Sequence, residues 1–173
     1  MKSDDLKRLI RDIPDFPKPG ILFRDITPLI GNPRGLAAIV DQIAARYLGS
    51  VDVVLGIESR GFIIGAPVAY RLGVGLTIAR KQGKLPSETV SQSYDLEYGT
   101  AALEVHRDGL PDGARVLIVD DLLATGGTAA AAAHLVRKLG GSVLGCAFVI
   151  ELAGLGGRER IAPLSCFSLV RYD

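Results

Sequence analysis

The residues best placed to do chemistry are Val116-Leu117-Ile118-Val119-Asp120-Asp121-Leu122-Leu123-Ala124-Thr125-Gly126-Gly127-Thr128. An apolar run ends in two adjacent carboxylates, passes through a turn of small residues and enters an alanine-rich stretch. Ligands of open α/β sheets bind beyond the C-terminal ends of strands. A glycine-rich turn opening a helix offers unpaired N–H groups and the positive end of a dipole, which suits a phosphate. Thr125 and Thr128 add hydroxyl donors. Asp120 and Asp121 would repel a phosphate but can accept bonds from two neighbouring sugar hydroxyls. The string as a whole therefore asks for a ribose 5-phosphate, although the acids alone could simply cap a helix. No GxxxxGK[ST] occurs, and no GxGxxG follows a strand, so neither the P-loop nor the dinucleotide fingerprint applies. Gly154-Leu155-Gly156-Gly157 reads as a surface loop.

Three further segments carry suitable groups. Glu58-Ser59-Arg60-Gly61-Phe62 lies between an apolar run and a helical pattern. Gly61 and Ser59 permit close backbone approach there, and Arg60 offers a planar guanidinium to phosphate oxygens, or is merely a solvated helix-start charge. Arg80-Lys81-Gln82-Gly83-Lys84-Leu85-Pro86 holds three cations with no acid until Glu88. Such runs are commonly solvated faces, but this one opens an irregular stretch after a strand end and reads as a basic flap over a polyphosphate. Downstream, Tyr94-Asp95-Leu96-Glu97-Tyr98-Gly99 puts a carboxylate and a phenol on the same stretch. In Gly20-Ile21-Leu22-Phe23-Arg24-Asp25-Ile26, Phe23 could stack on a flat heterocycle or belong to the core. His106 and His134 need no role beyond a surface place and a helix end.

These segments need elements to hold them. Leu6, Leu9 and Ile10 behind Ser3 and Asp4 predict a short N-terminal helix. Asn32-Pro33 reads as cap and first residue of a helix whose face is Leu36, Ile39, Val40, Ile43 and Tyr47, closed by Gly49. Apolar runs at 51–55, 75–79, 115–119 and 142–150 are continuous rather than alternating, as in a parallel sheet covered on both faces. Helical stretches at 62–72 and about 128–139 intervene, ended by Gly73 and Gly140. The fold class is α/β, an open, mostly parallel twisted sheet with helices on both faces. Residues 101–105 suggest an antiparallel edge or hairpin strand. Residues 80–99, lacking periodicity, suggest a lid or binding loop.

With 173 residues the chain fits one domain, since domains run about 100–200 residues. Its 20 basic and 19 acidic residues leave a net charge of +1, which argues against a nucleic acid or membrane gripped by bulk charge. Glycine is over-represented, at 21 residues, about 12% against a typical ~7%. Cys146 and Cys166 sit in apolar stretches without metal spacing and read as inert packing thiols. Acids at Asp4 and Asp5 oppose a signal peptide, and no apolar run reaches the ~18–20 residues of a membrane helix, so a cytoplasmic protein is expected.

Together the motifs match a known pattern. Residues 116–128 resemble the phosphoribosyl pyrophosphate signature of type I phosphoribosyltransferases. Asp15-Phe16-Pro17…Pro19-Gly20-Ile21-Leu22-Phe23-Arg24-Asp25-Ile26-Thr27-Pro28, Glu58-Ser59-Arg60-Gly61-Phe62, Arg80-Lys81…Gly83-Lys84-Leu85-Pro86 and Leu96-Glu97-Tyr98-Gly99 resemble its adenine-using branch, in order from about Asp15 to Tyr172.

The resemblance implies the type I fold with an N-terminal base-binding hood at residues 1–35. It also implies transfer of phosphoribose from phosphoribosyl pyrophosphate to adenine, giving AMP and pyrophosphate, a purine-salvage reaction. By the same resemblance Mg²⁺ rides mainly on the diphosphate and ribose, with no direct protein ligand. Asp120 and Asp121 hold the ribose, and Ala124, Thr125, Gly126, Gly127 and Thr128 the 5-phosphate. Ser59, Arg60, Arg80, Lys81 and Lys84 serve the pyrophosphate. Leu22, Phe23, Arg24 and Glu97 face adenine, and Tyr98 belongs to the flap. Glu97, Arg60 and Asp121 are the implied catalytic groups. Family members are homodimers whose basic residues after the strand can reach a neighbour's pyrophosphate. Two alternatives stay open: a transferase for another purine base, and a non-enzymatic phosphoribosyl pyrophosphate sensor. The sensor should carry an added basic DNA-binding segment, whereas Asp4, Asp5, Asp12 and Asp15 occupy the N-terminal stretch.

Overall fold

The computed structural model describes residues 1–95 and 99–173. In chain order its elements are α1 (Ser3–Lys7), β1 (Arg11–Pro14), β2 (Leu22–Asp25), α2 (Thr27–Gly31), α3 (Pro33–Tyr47), β3 (Val53–Ile57), α4 (Arg60–Leu72), β4 (Gly75–Lys81), β5 (Thr89–Asp95), β6 (Thr100–His106), β7 (Arg115–Leu123), α5 (Gly127–Lys138), β8 (Ser142–Leu152), α6 (Gly157–Ile161) and β9 (Cys166–Tyr172). The main sheet runs β5-β6-β4-β3-β7-β8-β9. From β4 to β9 every pairing is parallel, and β6 and β5 are antiparallel.

The continuous apolar runs follow from burial on both faces. In β7, Leu117 and Val119 pack with Ile39, Ile43, Ile64 and Val68 of α3 and α4. Val116 and Ile118 point the other way, to Leu135, Val136 and the alanines of α5. Strand β8 repeats this with Ala147 and Val149 against Cys146 and Phe148. The result is a helix–sheet–helix sandwich. Asn32 Oδ1 accepts from the N–H groups of Arg34 and Gly35, both at 3.0 Å, so it caps α3 as expected. Gly73 adopts φ +72° and ends α4 in the left-handed conformation that glycine tolerates.

Several expectations are corrected. Residues 80–99 are not an irregular lid throughout. Arg80 and Lys81 finish β4, and Thr89–Asp95 is β5, hairpinned to β6. Its signal was the alternation of Val90 and Tyr94, which pack toward the core, with polar neighbours. Strand β6 is the antiparallel hairpin strand expected, paired with β5, but it lies between β4 and β5 rather than at an edge. Strand β9 and the β1–β2 hairpin are not predicted by the sequence pattern. Helix α1 is capped at Lys2, not at Ser3 or Asp4, and Leu9 and Ile10 lie beyond its end. His106 is half-buried at the end of β6, while His134 is exposed. The sequence 154–157 is not a plain loop, because Gly157 is buried and starts α6. Both cysteines are free. Burial pushes the Cys146 thiol up to about 12, as suits a packing role. Among the described residues no helix is long and apolar enough to cross a membrane.

Candidate active site

After β3 the chain crosses through α4 to β4 on one side, and later returns to pair β7 on β3's other side. That reversal opens a crevice at the strands' C-terminal ends, where such sheets bind ligands. The register Gly56↔Val119 sets the turn after β3 beside the turn after β7. Between them lies a cleft of about 490 Å³ whose walls include Ser59, Arg60, Lys81, Lys84, Asp120 and Asp121, with residues 124–128 at one end. Gly61 makes the approach possible, since a Cβ there would lie 2.7 Å from the Val119 carbonyl oxygen and 3.1 Å from Asp120 Oδ1. The close contact that Gly61 allows is thus to β7.

The acidic wall is built in two steps. Asp121 is buried, 7% exposed, and its Oδ2 accepts from Arg60 Nε. Asp120 Oδ1 accepts the Asp121 N–H at 2.8 Å. Burial first, and the Asp121 charge second, push the Asp120 carboxyl well above its ordinary range. Arg60, expected to face phosphate oxygens, instead spans the acid and the hood: its Cζ lies 5.6 Å from the centre of the Phe23 ring.

At the other end, Gly126 takes φ +78° as the cap residue of α5, with no side-chain bond to the free N–H groups and no acid in the first turn. The 12-residue helix therefore turns unneutralised donors toward the cleft. Gly127 packs against the end of β5, where a Cβ would lie 3.3 Å from the Asp95 carbonyl oxygen.

Glu58 is a functional residue that the sequence pattern does not single out. Its side chain is 8% exposed. Lys84 Nζ donates to it at 2.9 Å, the Lys81 N–H at 2.9 Å and Arg80 Nη2 at 3.2 Å. Burial alone would raise its carboxyl, but these bonds outweigh burial and hold it at about 2. Nothing in the local sequence signals this, because the three donors come from residues 80–84, brought to Glu58 by the β3–β4 pairing. The Glu58–Ser59 peptide bond is cis. Arg80 is turned to Glu58 and to the Lys84 carbonyl, 3.1 Å away, while Lys81 and Lys84 line the cleft of their own chain.

Within residues 1–35, the stretch expected to form the hood, lies the β1–β2 hairpin. Phe23 is half-buried and meets Phe16 edge-on, with ring centres 5.2 Å apart. Arg24, its neighbour on the strand, points elsewhere: it pairs with Asp12 and lies 4.0 Å over the Tyr172 ring. Leu22 is exposed. The structure thus joins Phe23 to the cleft through Arg60, and leaves the Leu22 and Arg24 side chains off it. Glu97 and Tyr98 lie outside the described residues.

Among the described residues no group of three or more His, Cys, Asp or Glu side chains is arranged to hold a metal ion. A hard cation here would take most of its oxygen ligands from a bound polyphosphate, and the Asp pair offers carboxylates on the same wall.

Residues 30–172 match the phosphoribosyl transferase domain family. An adenine phosphoribosyltransferase of Acaryochloris marina (strain MBIC 11017) is 59% identical over 169 residues, covering 97% of this chain and 99% of that protein. The crystal structure of the Thermoanaerobacter pseudethanolicus adenine phosphoribosyltransferase superposes with a TM-score of 0.95 at 48% identity, covering 99% of this chain and 100% of that one. The Saccharomyces cerevisiae adenine phosphoribosyltransferase, solved with D-2,5-dideoxy-2,5-imino-altritol 1,6-bisphosphate and adenine, superposes with a TM-score of 0.92 at 39% identity, over 96% and 97% of the two chains.

Proposed function

The chain belongs to the phosphoribosyl transferase domain family and, within it, to the adenine phosphoribosyltransferases, and from that premise we propose how its cleft works. The enzyme transfers the phosphoribosyl group of phosphoribosyl pyrophosphate to adenine, forming AMP and pyrophosphate in purine salvage. The observation that carries the residue assignments is one cleft lined together by the residues that open α5, the carboxylates of Asp120 and Asp121, and the cations Arg60, Lys81 and Lys84.

Residues 124–128 hold the 5-phosphate through the N–H groups that open α5 and the hydroxyls of Thr125 and Thr128. Asp120 and Asp121 accept the ribose hydroxyls, and to engage Asp121 fully the sugar competes with Arg60. Ser59, Lys81 and Lys84 face the diphosphate, Arg60 turns to it from Asp121 once the sugar takes that carboxylate, and Glu58 sets Arg80 and Lys84 in place. As the diphosphate leaves, C1 gains oxocarbenium character. The carboxylates favour that cation, and the guanidinium and ammonium groups favour the departing anion. Mg²⁺, carried mainly by the diphosphate and ribose, would when bound further neutralise the leaving charge.

Phe23 stacks on adenine, and the free edge of β2 offers Leu22 and Arg24 backbone groups to its polar rim. Adenine loses its N9 proton as it attacks. Glu97 meets N7, to donate, accept or position a proton there, and Tyr98 closes the flap with it against water. The whole chain acts as one domain with residues 1–35 as its hood. It works as a cytoplasmic homodimer that engages neither nucleic acid nor membrane.

The test is to incubate the protein with phosphoribosyl pyrophosphate and Mg²⁺, adding one base at a time, and to measure pyrophosphate release. Turnover with adenine is expected; none with adenine, or equal rates with hypoxanthine and guanine, overturns the reading.

A further inference from the structure

The turn assigned to the 5-phosphate does not stand by itself. Its floor is the start of α6. A Cβ on Gly157 would lie 2.2 Å from the Ala124 carbonyl oxygen, and one on Gly126 would lie 2.6 Å from the Gly157 carbonyl oxygen. The two backbones are thus in direct contact, and any shift of α6 is passed to residues 124–127. Yet α6 has five residues, too few for a helix to hold itself.

Ile161 buries its far end in the core, and the end that meets the turn is fixed by the residue after Gly157. Arg158 Nε donates to Glu151 Oε1 at 2.9 Å and Nη2 donates to Oε2 at 2.5 Å, a two-point fork. Its Nη1 donates to the Cys166 carbonyl oxygen at 3.0 Å, so one guanidinium ties α6 to both β8 and β9. Glu151 is 2% exposed. Neither Glu151 nor Arg158 lines the cleft. A buried carboxylate stripped of its partner is strongly destabilising, so the fork is held firmly once made.

We propose that Glu151 and Arg158 are positioning residues for the sugar-phosphate turn, fixing α6 so that Gly157 sets the backbone donors of residues 124–127 at phosphate-binding geometry. The inference rests on that turn being the 5-phosphate site. It explains why a charge pair is kept so close to a site it does not touch: the fork fixes direction as well as distance, as an apolar contact would not.

The test uses Glu151→Gln, Arg158→Ala and Arg158→Lys in the full chain, with ribose 5-phosphate and pyrophosphate as separate calorimetric probes. Glu151→Gln and Arg158→Ala should weaken ribose 5-phosphate about tenfold or more, the scale of a sub-ångström to 1 Å misplacement, and leave pyrophosphate within about twofold. KM for phosphoribosyl pyrophosphate should rise while KM for adenine holds. Arg158→Lys, which keeps the charge and loses the fork, should recover only part of the affinity. A merely structural pair would lower Tm and leave both affinities of the folded fraction unchanged, and that result overturns the proposal. If Arg158→Ala does not fold, the near-isosteric Glu151→Gln decides alone. Failure of the unaltered protein to bind ribose 5-phosphate would overturn the turn assignment itself, and this inference with it.

Discussion

Asp120 is where stability and chemistry oppose each other. Burial and the neighbouring Asp121 charge raise its carboxyl above the ordinary 3.8. Below that value the group is protonated in the folded and unfolded chains alike, so it costs nothing. Above it the folded protein bears the cost of ionising in a tight site, and stability falls as pH rises toward the raised value. Asp120→Asn keeps the oxygen that accepts the Asp121 N–H and removes the charge. At pH 7 it should raise Tm, by about 2 to 4 °C for each kcal/mol relieved, with the gain fading as pH approaches 3.8. Affinity for phosphoribosyl pyrophosphate should fall in the same variant. Thermal melts at pH 4 and 7 beside a binding titration check both halves. Glu58 has the opposite sign. Its carboxyl is held at about 2 against an ordinary 4.5, so its contribution is complete above pH 4.5 and is lost as pH drops toward 2. Glu58→Gln should be less stable than the parent at pH 6, and urea midpoints should converge between pH 4.5 and 2. A constant gap would mean that the charge of Glu58 does not matter.

At the level of elements, the site exists because β7 and α4 meet without a side chain between them. Gly61→Ala places a methyl 2.7 Å from a backbone carbonyl, where neither partner has a flexible end to move. The expected cost is about 1 to 3 kcal/mol of overpacking, with weaker phosphoribosyl pyrophosphate binding as the two turns part. Gly154→Ala, with nothing within 4 Å of the added carbon, is the control and should be neutral in melting temperature. This pairing also shows what the sequence made legible. The parallel strands and both phosphate-competent turns could be read, because burial on two faces leaves a continuous apolar run and the turns carry glycine and acid at fixed places. The β1–β2 hairpin could not, because its strands have four residues each and are held by Arg24 on Tyr172, a contact across the whole chain. Strand β9 was hidden by Ser168 and Arg171 within it. Glu58 was visible as a letter, but its work depends on three donors brought together by the fold.

For the whole molecule, the near-neutral charge hides a polarised cleft, and the surface hides an apolar face. Ile63 and Tyr70 lie two turns apart on one stripe of α4, 49% and 87% exposed, and Leu76 of the adjacent β4 is 40% exposed. Gly65 of α4 holds Leu76 close, since a Cβ there would lie 3.4 Å from Leu76 Cδ1. The homodimer proposed above would bury these side chains if its twofold axis passes through this face. The same strand that presents Leu76 ends in Arg80 and Lys81, so a dimer built on this face would set the basic end of β4 near the partner. Light scattering should therefore give about 37 kDa, twice the 18.3 kDa chain. Ile63→Glu with Tyr70→Glu buries no new charge in the monomer but places like charges across the twofold axis. It should yield a folded species near half that mass, with KM for phosphoribosyl pyrophosphate raised and KM for adenine less affected. A dimer of unchanged mass in the double variant would place the interface elsewhere, and a monomer of full affinity would remove the basic strand end from any role across it.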